Sequence, residues 1–199
     1  MKKIIAFILL LLILIALGYF LIVKKDKSKN DESPNGEIQK VAISEMTFTG
    51  VSFRTSNNEL METNFSDFQN GMRSYFIISP NINNKTSENL YVVYTNYEND
   101  FSSDVMNKTY STFIGNSVFE KSEEFDNITI PFQQYVAFEI LLDKDVQLEE
   151  IQNAVGNKWK EIWEDADLHK NRSFLADFEE HIRLENSGEY KIKIYIGIK

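Results

Sequence analysis

The sequence lacks cysteine and has only two histidines, three prolines and eight glycines. The absence of cysteine excludes disulfide bonds, zinc–thiolate sites, a cysteine nucleophile and a lipoprotein attachment site. His169 and His181 are too few for a histidine-rich metal centre, and we interpret them as a loop histidine and a strand-end histidine. The scattered glycines form neither a phosphate-binding loop nor a dinucleotide fingerprint. We therefore predict no metal ion and no cofactor.

Positive charge is scarce after the first 29 residues. That segment carries six lysines and one acid, whereas the rest of the chain carries 15 basic and 29 acidic residues, a net charge of −14. A domain this acidic repels phosphate backbones, so we predict that it binds no nucleic acid. Its charge favours neutral or cationic ligands instead.

One long apolar run lies near the N-terminus. Residues 4–23 contain no charged residue and are flanked by lysines on both sides. At about 1.5 Å per residue, a helix of this length spans roughly 30 Å, the hydrocarbon thickness of a bilayer. We predict a single-pass membrane anchor at 1–23, a flexible tether at 24–38 and a folded domain at 39–199, with a cleaved signal peptide as the alternative. The flanking lysines are too evenly divided to decide which side of the cell membrane the domain faces.

The hydrophobic pattern of the folded domain repeats one order of elements. The first half contains a strand at 41–50, a helix at 62–78, and strands at 89–97 and 110–119. The second half contains a strand at 130–142, a helix capped by Asp145, and strands at 174–182 and 190–198. We therefore predict an α+β fold of duplicated strand-helix-strand-strand units. Its antiparallel sheet carries two main helices on one face, with pseudo-twofold symmetry between the halves.

Two glutamates stand within largely apolar strand sequences, Glu139 in the strand at 130–142 and Glu179 in the strand at 174–182. A carboxylate in such a strand is solvated on the exposed face, paired, or available to a ligand. Burial without a partner would raise its pKa and make it a proton donor or a partner for a cation. For both glutamates, a position on the solvent face is the alternative interpretation.

The domain holds more large aromatic side chains than a core of this size requires, namely Tyr91, Tyr94, Tyr97, Tyr110, Trp159, Trp163 and Tyr195. Trp159 lies on the apolar face of the second helix, where core packing is its default role, and Trp163 follows one turn later. Aromatic walls around a carboxylate attract cations and pack against flat apolar molecules. This combination suits a lipophilic cation or a planar drug-like molecule.

Several short strings occur in a recognisable order along residues 39–199. They are FTGVSFRT at 48–55, YVVYTNYEND at 91–100, Tyr110, IG at 114–115, IP at 130–131, YVAF at 135–138, WKEIW at 159–163, DFE at 177–179 and IYIGI at 194–198. Their order and spacing resemble the GyrI-like effector-binding domain, particularly its integron-cassette and AraC-type branch. The resemblance covers nearly all of the folded domain.

This resemblance implies a duplicated strand-helix-strand-strand fold and a pocket between the halves for lipophilic, often cationic, compounds. It also implies a buried glutamate and a tryptophan, matched here by Glu179 and Trp159. We expect the ligand to contact Glu179, Trp159, Trp163, Tyr94, Tyr97, Tyr195, Tyr110 and Phe138.

The chain departs from the family pattern at three points. It contains no helix-turn-helix segment, because the tract before residue 39 is too short to hold one. His181 stands where the family motif usually has tyrosine after Asp-Phe-Glu. The loop at 99–109 is longer and rich in Asn and Ser, and we expect it to reshape one wall of the pocket.

The leading hypothesis is membrane-tethered binding of a small lipophilic, cationic molecule, with Glu179 as its polar partner. An alternative is hydrolysis of strained cyclopropanoid compounds, which some relatives resemble, with Glu179 as general acid–base or nucleophile. We favour binding over catalysis because no second catalytic group is evident. A protein-interaction or inhibitor module is the third hypothesis, and the sequence names no protein partner for it.

Overall fold

The protein is described from a computed structural model that covers residues 39–61 and 66–199. In this part of the chain, antiparallel strands form one sheet from β1 (Gln39–Ile43), β2 (Met46–Ser56), β3 (Leu90–Thr95), β4 (Thr109–Val118), β5 (Asp126–Ile130), β6 (Gln133–Leu142), β7 (Ala176–Arg183) and β8 (Tyr190–Ile198). The described helices are α1 (Asn57–Met61), α2 (Ser66–Ile78), α3 (Leu148–Glu164) and α4 (Ala166–Asn171), with short 3-10 helices at Ser79–Asn81 and Phe101–Ser103. The predicted α+β class is confirmed.

The order of strands shows the internal duplication. Across the sheet the strands lie in the order β1-β6-β8-β7-β3-β4-β2-β5. On one side of the central β7–β3 pair the order is β3-β4-β2, and on the other side it is β7-β8-β6. Each half supplies a strand, a long helix and two further strands. The predicted pseudo-twofold arrangement is confirmed, and the halves meet where β3 pairs with β7.

Each half has one more strand than the sequence predicted. The strand predicted at 41–50 is two strands, β1 and β2. The strand predicted at 130–142 corresponds to β6, and β5 precedes it and shares only Ile130 with the predicted range. Pro131 stands between β5 and β6, where its missing N–H interrupts the ladder. The additional strands are exchanged, because β1 pairs with β6 of the second half and β5 pairs with β2 of the first half. The halves are therefore linked at both edges of the sheet as well as at its centre.

The two faces of the sheet bury different side chains. Both α2 and α3 cover one face, where Tyr75 and Trp159 join a cluster of strand residues that includes Ile194. The opposite face has its own cluster, formed by Phe48, Tyr91, Val93, Phe113, Ile130, Tyr135, Ala176, Phe178 and Tyr195. Alternation along each strand separates the two sets, since neighbouring residues such as Ile194 and Tyr195 point to opposite faces. The predicted placement of both main helices on one face is confirmed.

The face without helices is closed by curvature of the sheet. Phe48 on β2 and Phe178 on β7 are three strands apart, which in a flat sheet corresponds to roughly 14 Å. Their ring centroids are only 6.5 Å apart, and Tyr91 contacts both rings. The sheet therefore curls around its own aromatic side chains on this face. The helices lie on the other face, where Trp159 of α3 contacts Glu179 of the central strand β7.

The start of α3 differs from the predicted cap. The capping residue is Gln147, whose backbone N–H donates to Glu150 Oε2 at 2.8 Å, and Asp145 lies two residues before it. The pattern of α3 itself is as expected, with Trp159 and Ile162 buried on the face toward the sheet. This register directs the indole of Trp159 toward the central strands.

The predicted anchor and tether lie outside the described residues, as do the first four residues of the helix predicted at 62–78. Within 39–61 and 66–199, no helix combines the length and the apolar character needed to cross a bilayer.

Candidate ligand-binding site

Glu179 lies on β7, in the central strand pair, and its side chain points to the helix-covered face. The residue is 3% exposed. One carboxylate oxygen, Oε1, accepts hydrogen bonds from Tyr94 Oη at 2.7 Å and from Trp159 Nε1 at 2.6 Å. The other oxygen, Oε2, lies 2.8 Å from His181 Nε2. A strand of each half and the helix of the second half thus converge on one buried carboxylate.

These contacts keep the carboxylate ionised. Burial raises the pKa of Glu179, but the hydrogen bond and charge of His181, together with the donors Trp159 and Tyr94, lower the pKa below its ordinary value. Burial next to this negative charge also raises the pKa of Tyr94 well above its usual range. The site therefore holds a buried negative charge that accepts hydrogen bonds from Tyr94 and Trp159 and is contacted by His181.

His181 links the carboxylate to β8. Its two ring nitrogens have separate partners, Glu179 Oε2 for Nε2 and Tyr190 Oη for Nδ1 at 3.1 Å. Glu179 and His181 are two residues apart on one strand, so alternation places both side chains on the same face. The imidazole is therefore a direct neighbour of the carboxylate rather than the isolated strand-end histidine that the sequence suggested.

A second buried polar cluster surrounds Asp177, which lies two residues before Glu179 on β7. Arg172 is 2% exposed and Asp177 is fully buried, and Arg172 Nη2 lies 2.6 Å from Asp177 Oδ2. The same carboxylate accepts hydrogen bonds from Tyr97 Oη at 2.5 Å and from the backbone N–H of Gly197 at 2.7 Å. A Cβ on Gly197 would lie 2.7 Å from the carbonyl oxygen of Ala176, so the chain can approach this closely only with glycine there.

Aromatic rings connect the two polar clusters. Tyr110 packs edge-on against Tyr94 and tilted against Tyr97, with ring centroids 5.7 Å and 5.6 Å apart. Phe101, from the loop after β3, is buried against Tyr97, Tyr110 and Phe174. The long loop predicted at 99–109 therefore supplies one wall of the aromatic cluster.

Most of the aromatic residues that the sequence singled out share one face of the sheet. Tyr94 and Trp159 bond to Glu179 directly, and Trp163 lies beside Trp159 with ring centroids 6.2 Å apart. The ring of Tyr110 contacts those of Tyr94 and Tyr97, so Tyr110 and Tyr97 are linked to Glu179 through the ring of Tyr94. Phe138 on β6 is partly buried against the same core.

Tyr195 and Glu139 lie elsewhere. Tyr195 stacks on Phe178 at 4.4 Å on the opposite face, so the structure does not bring it together with Glu179. Glu139 is exposed on β6 and pairs with Lys191 at 3.0 Å, which agrees with the solvent-face alternative for that residue. Glu179 therefore stands apart from Glu139 as the buried acid of the two.

Three polar residues of this region were not among the predicted site residues: His181, Arg172 and Asp177. The sequence carried a signal for two of them, since 177, 179 and 181 alternate along one strand and must share a face. Arg172 had no such signal, because it lies outside the strands and reaches Asp177 only through the turn that follows α4.

A duplicated α+β domain with a buried carboxylate and aromatic walls on its helix-covered face defines an effector-binding domain of the GyrI-like class. The family model described as integron-associated effector binding protein, Cass2, matches residues 41–198. The chain belongs to this family, as the resemblance implied. No match was found among the curated proteins.

Solved structures share the fold at low sequence identity. An integron cassette protein from the mobile metagenome of Vibrio cholerae is 18% identical, with a TM-score of 0.59 over 81% of this chain and 95% of that one. The protein SAV2435, solved bound to tetraphenylphosphonium, is 17% identical, with a TM-score of 0.60 over 82% of this chain and 94% of that one. A putative transcription regulation protein from Staphylococcus aureus is 16% identical, with a TM-score of 0.56 over 82% and 98%.

Proposed function

We propose that this effector-binding domain binds a small lipophilic cation, with the carboxylate of Glu179 as its charged partner. The observation that carries the proposal is the burial of an ionised carboxylate among aromatic rings on the helix-covered face. A buried charge is costly unless it is bonded, and such groups concentrate at functional sites. The structure of SAV2435 with a lipophilic cation supports this ligand class for the fold.

The two oxygens of the Glu179 carboxylate have different numbers of hydrogen-bond partners. Oε1 accepts two hydrogen bonds, from Tyr94 and Trp159, whereas Oε2 has one described partner, His181. A carboxylate oxygen has two lone pairs, so Oε2 can accept a further contact. We therefore place the charged part of the guest on the Oε2 side of Glu179, with its apolar groups against the aromatic rings.

The aromatic rings favour a cation over a neutral guest. Tyr94 and Trp159 meet nearly at right angles, with ring centroids 5.2 Å apart, and both bond to the carboxylate. Ring faces attract cations, and the acidic surface of the domain raises the local concentration of positively charged molecules. The aromatic rings and the negative charge of the domain therefore both favour a cationic guest.

Titration with tetraphenylphosphonium tests the proposal on the full-length chain. Glu179→Gln removes the charge and keeps the shape, so we expect saturable binding by the unmodified protein and at least about tenfold weaker binding by the variant. Glu180→Gln is the matched control, because Glu180 is the next residue on the same strand and bonds Tyr91 and Asn89 on the opposite side. Equal loss in both variants would mean that net charge, not Glu179, attracts the cation.

We further propose that residues 4–23 anchor the domain in the cell membrane. The support is the length of the uncharged run and its flanking lysines. Replacing Leu12 and Ile15 with Asp places two charges in that run, which strongly disfavours insertion. We expect the unmodified chain to resist extraction from membranes at alkaline pH and the double variant to be extracted, whereas extraction of both would reject the anchor.

A further inference from the structure

The surroundings of Glu179 are closed to solvent. Glu179 is 3% exposed, and Trp159, whose indole bonds to it, is 8% exposed. A guest therefore reaches the carboxylate only after a covering element moves. The elements that cover this face are the two long helices α2 and α3.

The two halves of α3 pack differently against the sheet. Both buried residues of α3, Trp159 and Ile162, lie in its C-terminal half. None of residues 148–155 is buried, and Leu148 is 50% exposed although it is apolar. A segment with few buried apolar side chains has low local stability. The first two turns of α3 are therefore its less firmly held part.

Gly156 stands at the boundary between these halves. Glycine is the least favourable residue of a helix interior after proline, because its backbone is the most free to adopt other conformations. Apart from its chain neighbours and the helix backbone, a Cβ at Gly156 would have no atom within 4 Å, so packing does not require glycine there. In α2, by contrast, a Cβ at Gly71 would lie 2.5 Å from the ring of Phe53. Gly156 is therefore a point at which α3 bends easily, without a packing reason for its presence.

The segment before Gly156 is held together as one helical piece. Its first turn is capped by Gln147, whose backbone N–H donates to Glu150 Oε2 at 2.8 Å, while the Gln147 side chain accepts from the backbone of the first turn. The connection that leads into it from β6, residues 143–145, is exposed. Residues 148–155 are thus a capped helical segment with an exposed connection at one end and a glycine at the other.

The first two turns of α3 lie toward the start of β8. The chain enters α3 from β6, whose last residue, Leu142, pairs with the first residue of β8. Trp159 contacts Glu179, which pairs with Ile194 further along β8. The turns before Trp159 therefore extend back over Ile192, which is fully buried on the helix-covered face.

We propose that residues 148–155 form a flap, hinged at Gly156, that lifts from the start of β8 and opens the space beside Trp159 and Glu179. The flap is a property of the protein alone, whereas its use as the entry route for a cation rests on the proposed function. In the closed position, Ile151 and Val155 pack against the apolar cluster of the helix-covered face. In the open position, the strand residues beneath the flap meet solvent while the C-terminal half of α3 stays in place.

Thiol labelling of single-cysteine variants tests the flap on the full-length chain without any ligand. The sequence has no cysteine, so Ile192→Cys and Ile196→Cys each introduce the only thiol. Both isoleucines are fully buried on the helix-covered face of β8, and Ile192 is the one that lies toward the start of the strand, beneath the flap. We expect dithionitrobenzoate to modify the thiol of Ile192→Cys at least about tenfold faster than that of Ile196→Cys under native conditions.

A second substitution locates the hinge. Alanine favours the straight helix over glycine, so we expect Gly156→Ala to slow the labelling of Ile192→Cys by up to about fivefold. Asn157→Ala is the matched control, because Asn157 is the next residue of α3, is exposed, and becomes a better helix former without loss of the glycine. We expect this control to change the labelling rate by less than about twofold.

Two results would overturn the inference. Equal labelling rates of Ile192→Cys and Ile196→Cys would mean that the face opens only when the whole fold opens, and there would be no flap. Equal slowing by Gly156→Ala and Asn157→Ala would mean that Gly156 is no hinge. If a cysteine variant fails to fold, hydrogen exchange of the unmodified chain decides instead, since amides 152–155 should exchange faster than amides 157–164, and equal protection would overturn the flap.

Stopped-flow mixing with tetraphenylphosphonium tests the flap as the entry route. A gate that opens for both entry and exit changes rates but not affinity, so we expect Gly156→Ala to slow association and dissociation by the same factor at unchanged Kd. Unchanged rates would overturn the entry route. Absence of saturable binding by the unmodified chain would overturn the proposed function, and the flap would still be decided by the labelling rates.

Discussion

Arg172 and Asp177 form an ion pair that is buried more deeply than any other in the described part of the chain. A single guanidinium nitrogen, Nη2, lies 2.6 Å from Asp177 Oδ2, while Nε and Nη1 have no described hydrogen-bond partner. The guanidinium also lies 4.6 Å from the ring centroid of Phe174. The charge of Arg172 is therefore balanced by one carboxylate and one aromatic ring.

Replacing the Asp177 carboxylate should destabilise the fold, because Arg172 then loses its counter-ion. Asp177→Asn leaves Arg172 charged and buried without its counter-ion, so we expect the free energy of unfolding to fall by about 3–5 kcal/mol. Equilibrium denaturation in urea measures it. Glu161→Gln is the control, because the Lys158–Glu161 pair lies on the surface of α3 and should contribute less than about 1 kcal/mol. A loss no larger than in the control would show that the buried pair contributes little.

Burial of Phe101 should stabilise the fold and hold the loop after β3 in place. Phe101 is 4% exposed and contacts the rings of Tyr97, Tyr110 and Phe174, so Phe101→Ala leaves a cavity. We expect a loss of about 3–5 kcal/mol in the free energy of unfolding, with faster proteolysis of residues 99–108. Phe119→Ala removes an exposed ring and is the control. Unchanged proteolysis in Phe101→Ala would mean that the ring does not hold the loop.

The fold was largely predictable because the strands alternate cleanly and the helices carry one apolar face. The strand predicted at 190–198 coincides with β8, where Tyr190 and four isoleucines alternate with the residues of the other face. The two edge strands were missed because Pro131 and the short break before Met46 interrupt runs that remain β-rich on both sides. An exchange of edge strands between halves leaves no mark in a local pattern, since it depends on pairing across the whole sheet.

The site was only partly predictable, for a different physical reason. Glu179 stood out because a charge within an apolar strand is unusual, Tyr94 because the domain has a surplus of large aromatic residues, and Trp159 on both that ground and the family resemblance. Tyr195 was grouped with them although it stands one residue from Ile194, which fixes it on the other face. Arg172 could not be found, because a turn residue reaches a strand carboxylate only in three dimensions.

Lowering the pH should reduce the free energy of unfolding of the unmodified protein more than that of Glu179→Gln, which lacks the carboxylate. Burial raises the pKa of Glu179, but the bonds from His181, Trp159 and Tyr94 leave the folded-state pKa below the ordinary value of 4.5. The ionised carboxylate therefore stabilises the fold above about pH 4.5, and this contribution is lost as the pH falls through the lower folded-state pKa. Urea denaturation from pH 6 to pH 3 should show the difference in unfolding free energy between the unmodified protein and Glu179→Gln shrinking. A difference that is constant with pH would contradict the assignment.

The two tryptophans should report ligand binding unequally. Trp159 donates its indole N–H to Glu179 Oε1, so a guest beside that carboxylate changes the surroundings of its ring directly. Trp163 lies one turn further along α3 and meets the site only through Trp159, at 6.2 Å between ring centroids. We expect Trp163→Phe to retain most of the emission change caused by tetraphenylphosphonium and Trp159→Phe to lose most of it, measured in titrations that reach saturation. Because Trp159→Phe also removes one donor from Glu179, its affinity is measured separately by calorimetry, so that a lost signal is distinguished from lost binding. An undiminished emission change in Trp159→Phe would place the guest away from Glu179.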